Sequence, residues 1–229
     1  MRQLDGALAF ARMNVIDPAA FILANTVLMP PPLVPEIQLH LASEVVPLWQ
    51  MTEEELEQNG LPPPYWAFAW AGGQALARYI LDHPDLVKGK AVLDFGAGSG
   101  LVSITAMKAG AASTLAADID GFARAAITLN AAANGVTVGV TASDLIDSTP
   151  EAEVLLIGDM CYEQPLAGRI ERWLRSLARA GKTVLIGDPG RSYFPKTGLE
   201  PLGRYQVKTT RELEDREIRD TGVFRLLPA

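Results

Sequence analysis

One nine-residue segment combines an acidic side chain with three closely spaced glycines. It reads Val92-Leu93-Asp94-Phe95-Gly96-Ala97-Gly98-Ser99-Gly100, an apolar run that ends in an acid and continues into a glycine-rich turn. Glycines in such a turn let a ligand approach the backbone where a side chain would block it. The segment therefore predicts a ligand-binding turn between a strand and a helix. A purely structural tight turn is the alternative.

The spacing of the glycines separates two classes of ligand. A dinucleotide site requires G-x-G-x-x-G, with the pyrophosphate at the N-terminus of the helix. Here Leu101 stands in the place of the third glycine, and Asp94 would put a carboxylate beside the pyrophosphate. A carboxylate suits a cation, and S-adenosylmethionine carries both an ammonium and a sulfonium. We therefore predict a site for this cofactor, with S-adenosylhomocysteine as product, formed by Asp94, Gly96, Gly98, Ser99 and Gly100.

Two more acids follow the next two predicted strands. Asp118 ends the second strand, where a carboxylate can bind both ribose hydroxyls of the cofactor, and Ile119 beside it can pack on the adenine. Asp144 follows the third strand and could accept a hydrogen bond from the adenine amino group. The alternatives are a solvated loop acid for Asp118 and an N-cap or Asx turn for Asp144.

The fourth predicted strand is followed by Gly158-Asp159-Met160-Cys161-Tyr162. This position faces the transferred methyl group, and a carboxylate and a phenol so close together can bracket an amine. We therefore predict Asp159 and Tyr162 as the catalytic pair. The alternative for Asp159 is that it caps the helix that follows. Cys161 is expected to pack rather than act as a nucleophile, because the sequence shows no histidine partner for it.

Strands and helices alternate along most of the chain. Strands are predicted at 91–95, 114–117, 136–142, 154–157, 182–186, 205–210 and 223–227, and helices at 70–82, 101–108, 122–133 and 163–180. This alternation predicts a mostly parallel sheet that is covered on both faces. The ligand is then expected at the carboxyl ends of the strands, where the motifs lie.

The first 62 residues differ from the rest. They hold two proline clusters, at Pro30–Pro32 and Pro62–Pro64, and between them Thr52 and Glu55 form a capping box that predicts a short helix. We interpret residues 1–62 as an N-terminal extension or lid and residues 63–229 as the catalytic domain.

The amino-acid composition limits the kinds of binding partner and the cellular compartment that we expect. The net charge of −7 disfavours nucleic acid as a partner and favours a basic protein surface. A single cysteine, two isolated histidines and the lack of CxxC or HExxH predict no disulfide and no metal site. No apolar stretch is long enough to span a membrane and the start does not look like a signal peptide, so we expect a cytoplasmic protein without a membrane partner.

With these residues in place, the sequence resembles the electron transfer flavoprotein β-subunit lysine methyltransferases, which belong to the seven-β-strand methyltransferases. The segments that carry the resemblance are 35–39, 64–67, 72–76, 92–100, 118–120, 127–130, 158–160 with Tyr162, and 185–191. The resemblance implies a Rossmann-like α/β fold with strand order 3-2-1-4-5-7-6 and an antiparallel seventh strand. It also implies that Trp70 lies near the cofactor, that Asp159 and Tyr162 form an acceptor motif, and that 187–191 lie at the acceptor mouth. Two departures are Ala71, where proline is expected, and Cys161, where an aromatic residue is more usual.

The implied reaction is methylation of lysine side chains on the flavoprotein β subunit. A free lysine has a pKa of about 10.4, so removing its proton near pH 7.4 costs about 4 kcal/mol, and a nearby carboxylate increases that cost. Asp159 is therefore expected to capture and orient the amine with Tyr162, while the sulfonium lowers the amine pKa. A small-molecule N-methyltransferase and a non-catalytic cofactor-binding interaction protein are the alternatives.

Overall fold

The computed structural model of the protein describes residues 17–42, 63–209 and 216–228. The helices are α1 (Pro18–Asn25), α2 (Ala71–Asp82), α3 (Leu101–Lys108), α4 (Gly121–Ala133) and α5 (Leu166–Arg179). The strands are β1 (Val27–Met29), β2 (Leu39–Leu41), β3 (Ala91–Phe95), β4 (Ser113–Ala117), β5 (Gly139–Thr141), β6 (Val154–Gly158), β7 (Thr183–Asp188), β8 (Leu199–Lys208) and β9 (Ile218–Leu226). The short helix predicted after Thr52 lies outside the described residues.

Seven strands form one sheet in the order β5-β4-β3-β6-β7-β9-β8. Strands β3 to β7 run parallel, and β9 is antiparallel to both β7 and β8. Counted from β3 as the first strand, this is the order 3-2-1-4-5-7-6 with an antiparallel seventh strand. The predicted Rossmann-like methyltransferase fold is confirmed.

Apolar side chains on both faces of the central strands hold the helices in place. On one face, Trp173 of α5 packs on Phe95 of β3, with ring centroids 4.9 Å apart. On the other face, Ala75, Leu76 and Ile80 of α2 are fully buried against the sheet. These three residues belong to the apolar stripe that predicted α2, so the helical periodicity identified the face that packs on the sheet.

Several element boundaries differ from those predicted. Helix α5 begins at Leu166, three residues later than expected, because Pro165 disfavours the helical conformation for the residue before it. Asp159 therefore does not cap α5. Strand β5 is shorter than predicted, since it pairs only with residues 115–117 of β4. Strands β8 and β9 are longer, because they pair with each other over nearly their whole length.

The described part of the N-terminal extension is attached to α4. Asp17 caps α1 through its Oδ1, which accepts the Ala19 N–H at 3.0 Å. Phe21 of α1 meets Phe122 of α4 edge to face at 5.4 Å. The Asn130 side chain of α4 accepts the His40 N–H of β2 at 2.7 Å. A lid function for residues 1–62 stays a prediction. No helix in the described ranges has both the length and the apolar character that crossing a membrane requires.

Candidate active site

The glycine-rich segment forms the predicted turn between β3 and α3. Gly96, Gly98 and Gly100 have φ values of 69°, 52° and 78°, a left-handed region that side-chain-bearing residues rarely adopt. Asn130 of α4 supports the turn, since its Nδ2 donates to the Ser99 carbonyl at 2.8 Å. The sequence therefore uses glycine here because of the backbone conformation as well as for access by a ligand.

Asp94 lies buried beneath this turn. Its Oδ2 accepts two hydrogen bonds from Ser103, one from the backbone N–H at 2.9 Å and one from the hydroxyl at 2.6 Å. Burial raises the pKa of Asp94 to about 6, although both hydrogen bonds from Ser103 act in the opposite direction. A ligand cation beside this carboxylate would favour its ionised form.

A cavity runs from the glycine turn to the start of α2 and the end of β6. It is lined by Phe68, Ala69, Trp70, Gly73, Asp94, Gly96, Ala97, Gly98, Ser99, Leu101, Val102, Gly158 and Asp159. Five of the predicted cofactor residues therefore share one cavity with the predicted acceptor residue Asp159. The motifs did not identify Phe68, Ala69, Gly73 or Val102 as cofactor residues, because these lie outside the glycine-rich segment and the predicted strand ends.

Of the other four predicted cofactor residues, Gly100 lies in the glycine-rich turn, Asp118 and Ile119 follow β4, and Asp144 follows β5. Asp118 accepts the Gly98 N–H at 2.9 Å with Oδ2 and the Asp120 N–H at 2.9 Å with Oδ1, so it ties the end of β4 to the turn. Ile119 is 77% exposed. Asp144 is exposed, accepts the Ile146 N–H at 3.0 Å in an Asx turn and does not line the cavity. The ribose and adenine roles of these residues stay predictions.

An aromatic cluster stands beside the acceptor end of the cavity. Tyr65 lies 6.0 Å from Trp70 and 5.9 Å from Tyr162 between ring centroids, and Phe68 lies 6.0 Å from Trp70. The Trp70 indole donates to the Tyr65 carbonyl at 2.9 Å, which fixes the ring. Burial raises the pKa of Tyr162 to about 12. Its hydroxyl is therefore protonated near neutral pH, so it can form hydrogen bonds but is a poor base.

Asp159 occupies the end of the cavity that faces α2. Its Oδ1 accepts hydrogen bonds from Arg191, at 2.8 Å from Nη2 and 3.2 Å from Nε, and its Oδ2 accepts the Gly73 N–H at 3.0 Å. The Arg191 guanidinium carbon lies 5.5 Å from the centre of the Trp70 ring. A charged partner and the N-terminal turn of a helix thus both stabilise the carboxylate.

Three glycines allow α2 to come this close to the strand ends. These are Gly72 of α2, Gly158 of β6 and Gly187 of β7, which we call the glycine seam. A Cβ on Gly72 would overlap the Gly187 carbonyl oxygen and would lie 2.5 Å from the Asp159 Oδ2. A Cβ on Gly158 would lie 3.0 Å from the Gly73 Cα. The short contact between Gly73 and Asp159 therefore depends on residues without side chains.

A turn after β7 holds Arg191 in position. Asp188 is buried, and its Oδ1 accepts the backbone N–H groups of Gly190 and Arg191, both at 2.7 Å. Its Oδ2 has no hydrogen-bond partner among the described residues, and burial raises the pKa of Asp188 to about 7. Sequence reasoning put 187–191 at the acceptor mouth but did not separate these two residues. The signal was an Asp-Pro-Gly-Arg run directly after an apolar strand.

Cys161 is buried, and burial raises the pKa of its thiol to about 12, so it is a packing residue as predicted. Within the described ranges, no group of three or more histidine, cysteine, aspartate or glutamate residues could hold a metal ion.

Comparison with known proteins adds relatives of two kinds. The family model for ribosomal protein L11 methyltransferase (PrmA) matches residues 74–157. The electron transfer flavoprotein beta subunit lysine methyltransferase of Xenopus laevis is 38% identical over 95% of this chain and 90% of its own length. The rat protein of that name is 42% identical over 86% of this chain and 78% of its own length.

A solved structure supports the same fold. The ribosomal protein L11 methylase from Lactobacillus delbrueckii subsp. bulgaricus is 21% identical and superposes with a TM-score of 0.50. The superposition covers 70% of this chain and 81% of that structure. At this level of identity the likeness concerns the arrangement of the strands and helices.

Proposed function

The chain belongs to the electron transfer flavoprotein β-subunit lysine methyltransferases, and on that premise we propose that it methylates lysine side chains on the β subunit of an electron transfer flavoprotein. The methyl donor is S-adenosylmethionine. The observation that best supports the proposal is that the glycine turn with Asp94 and the acceptor carboxylate Asp159 line one cavity. Donor and acceptor can therefore meet without rearrangement of the sheet.

The donor side is suited to a cationic nucleoside. When bound, the cofactor supplies an electrophilic methyl group on a sulfonium. Asp94 places a buried carboxylate beside the turn, and Asp118 places a second one against the Gly98 N–H. The exposed Ile119 offers an apolar surface to the adenine. Asp144 would reach the adenine amino group only if its Asx turn with Ile146 rearranged.

The acceptor side is suited to a primary amine. Asp159 can accept a hydrogen bond from the amine and direct its lone pair, because the carboxylate is fixed at both oxygens. Tyr162 offers a neutral hydroxyl on the same side. The aromatic cluster around Trp70 can cover the aliphatic part of a lysine side chain. The net charge of −7 favours approach of a basic protein surface.

The relation to ribosomal protein L11 methyltransferases suggests a second protein substrate to test. The matched segment ends at residue 157, directly before the Gly158-Asp159 motif. The flavoprotein is favoured over protein L11 as the substrate because the flavoprotein methyltransferases are 38% and 42% identical over most of this chain. A cytoplasmic location, the absence of a nucleic-acid partner and the division at residue 62 stay predictions.

A methyl-transfer assay with radiolabelled S-adenosylmethionine tests the proposal. Purified electron transfer flavoprotein, purified ribosomal protein L11 and a protein extract are each incubated with wild type, Asp159→Asn and Asp85→Asn. Asp85 is an exposed aspartate in the turn after α2, so its variant is the matched control. We expect label on the flavoprotein β subunit with wild type and control, and little with Asp159→Asn, while calorimetry shows that all three bind the cofactor.

Other patterns of label would contradict the proposal in distinct ways. Label on protein L11 or on a small molecule alone would refute the proposed substrate and keep the enzyme class. Cofactor binding without label on any acceptor would support a non-catalytic interaction protein. Full labelling by Asp159→Asn would refute the role of the carboxylate.

A further inference from the structure

The acceptor carboxylate forms an ion pair before any substrate is considered. Arg191 donates two hydrogen bonds to one oxygen of Asp159, and the side chains are only 17% and 9% exposed. Buried charge pairs are held more firmly than exposed ones, because water competes less for their hydrogen bonds. The Arg191–Asp159 pair therefore carries no net charge, although the best-placed hydrogen-bonding group of the site is an anion.

This pairing bears on the main difficulty of the reaction. A lysine ammonium has no lone pair, so it must lose a proton before it can attack the methyl group. An unpaired carboxylate would stabilise the ammonium and oppose that loss, whereas a nearby cation favours it. An arginine side chain is always charged in proteins, so its effect is present over the whole working pH range.

We propose that Arg191 is the charge-setting residue of the acceptor site, which offsets the charge of Asp159 so that the bound lysine amine can become neutral there. The inference rests on the proposed amine methylation and deepens it. Asp159 then orients the amine without holding it in its protonated form. Arg191 acts through this charge and need not touch the amine.

Three contacts fix Arg191 for this role. Its backbone N–H donates to Asp188 at 2.7 Å, its side chain bonds Asp159, and its guanidinium carbon lies 5.5 Å from the centre of the Trp70 ring. The adjacent strands β6 and β7 end side by side, with Gly158 paired to Gly187. Arg191 is therefore held at the end of the sheet, in the turn that follows β7.

The other titratable groups near this pair do not replace its effect. They are Tyr65, Cys161, Tyr162 and Asp188, and the carboxylates of Asp118, Glu163 and Glu171 act on the cysteine or on Tyr162. Cys161 and Tyr162, each with a pKa raised to about 12, are uncharged near neutral pH. Asp188, with a pKa of about 7, adds negative charge as the pH rises, which makes a compensating cation more necessary.

Methylation of the lysine amine then takes place in two steps, loss of a proton and transfer of the methyl group. The lysine ammonium first gives one proton to water. The lone pair of the neutral amine forms a bond to the methyl carbon while the carbon–sulfur bond breaks, and its electron pair stays on sulfur. The products are the neutral thioether S-adenosylhomocysteine and a methylated ammonium, which can lose a proton to water in turn.

The test is the pH dependence of kcat, measured at saturating substrate so that it reports the bound amine, for wild type, Arg191→Met, Arg191→Lys, Asp159→Asn and the double variant Arg191→Met/Asp159→Asn. Activity rises with pH as the amine loses its proton, and the midpoint of that rise is the readout. We expect Arg191→Met to move the midpoint up by about one to two pH units, the effect of a unit charge about 6 Å away at an effective dielectric constant of about 20. Arg191→Lys, which keeps the charge, should leave it within about half a unit.

The two remaining variants separate charge from structure. Asp159→Asn should move the midpoint to lower pH while raising KM, and the double variant should return it to within about half a unit of wild type. An unchanged midpoint in Arg191→Met, or an equal loss of its activity at every pH, would overturn the inference. Calorimetric cofactor binding shows that each variant is folded. If wild type labels a different amine, the profile is measured on that acceptor, so failure of the proposed substrate and failure of this inference are distinct results.

Discussion

Replacing Gly72 by alanine tests the tightness of the glycine seam. The added methyl group would overlap the Gly187 carbonyl oxygen and approach the Asp159 Oδ2 to 2.5 Å. The first of these atoms belongs to the backbone, so a side-chain rotation cannot relieve the overlap. Helix α2 must then move away from the ends of β6 and β7, or the strand end must distort.

The expected change in the free energy of unfolding of Gly72→Ala follows from two opposing effects. Overpacking a tight contact costs about 1–3 kcal/mol, and the gain in helix propensity from glycine to alanine returns up to about 1 kcal/mol. Because the obstacle is backbone, we expect a net loss of about 2 kcal/mol in the free energy of unfolding. For a chain of this size that lowers the Tm by about 4–8 °C.

The neighbouring residue provides a matched control in the same helix. A Cβ on Gly73 would find its nearest atom, the Val102 Cγ2, at 4.0 Å, which is ordinary contact. Gly73→Ala should therefore leave the Tm unchanged or raise it by about 1–3 °C through helix propensity. Thermal unfolding followed by circular dichroism, without cofactor, measures both. A Tm of Gly72→Ala equal to or above that of Gly73→Ala would refute the close approach of α2 to β7.

Three further predictions concern buried polar groups. The pKa of the buried Asp188 carboxyl is raised to about 7, so the wild type loses stability as the pH rises from about 4 through 7. The difference in Tm between Asp188→Asn and wild type should therefore grow in favour of the variant over that range. A difference that shrinks as the pH rises would contradict this. Asp94, with a pKa raised to about 6, must be ionised to hold a cation. The affinity for S-adenosylmethionine measured by calorimetry should therefore fall by up to about tenfold for each pH unit below 6. Asp94→Asn should bind the cofactor weakly and without this pH dependence. The buried Thr114 hydroxyl has no hydrogen-bond partner among the described residues, so Thr114→Val should raise the Tm by about 2–4 °C. Thr105→Val is the control, because it loses a 2.7 Å hydrogen bond to the Leu101 carbonyl and should lower the Tm.

The sequence was most informative where the evidence is local. The turn at 96–100 could be predicted because glycines there serve a backbone conformation, and α2 because its apolar residues recur at helical spacing. The lengths of β8 and β9 could not be predicted, since they depend on the register in which these two strands pair, which their residue types do not specify. The predicted start of α5 is three residues too early, because Pro165 disfavours the helical conformation for the residue before it.

The site shows the same division between local and distant information. Asp94 lies near the end of β3 and Asp159 directly follows β6, both in recognisable motifs, so their positions at the carboxyl edge could be expected. The bond between Asp159 and Arg191 joins residues 32 apart and required the parallel pairing of β6 with β7. Asp144 follows the strand at the sheet edge, where the path of the loop depends on neighbours that the motif does not specify.

At the glycine seam, the first turn of α2 gives the two substrates of this enzyme a common wall. Trp70 and Gly73 at the start of α2 line the cofactor cavity, and the Gly73 N–H also holds Asp159. A substrate that contacts this turn therefore acts on a group that also serves the other substrate, which couples the two binding sites. Such coupling is reciprocal. In titrations of either ligand, the flavoprotein should therefore raise the affinity for the cofactor by the same factor by which the cofactor raises the affinity for the flavoprotein.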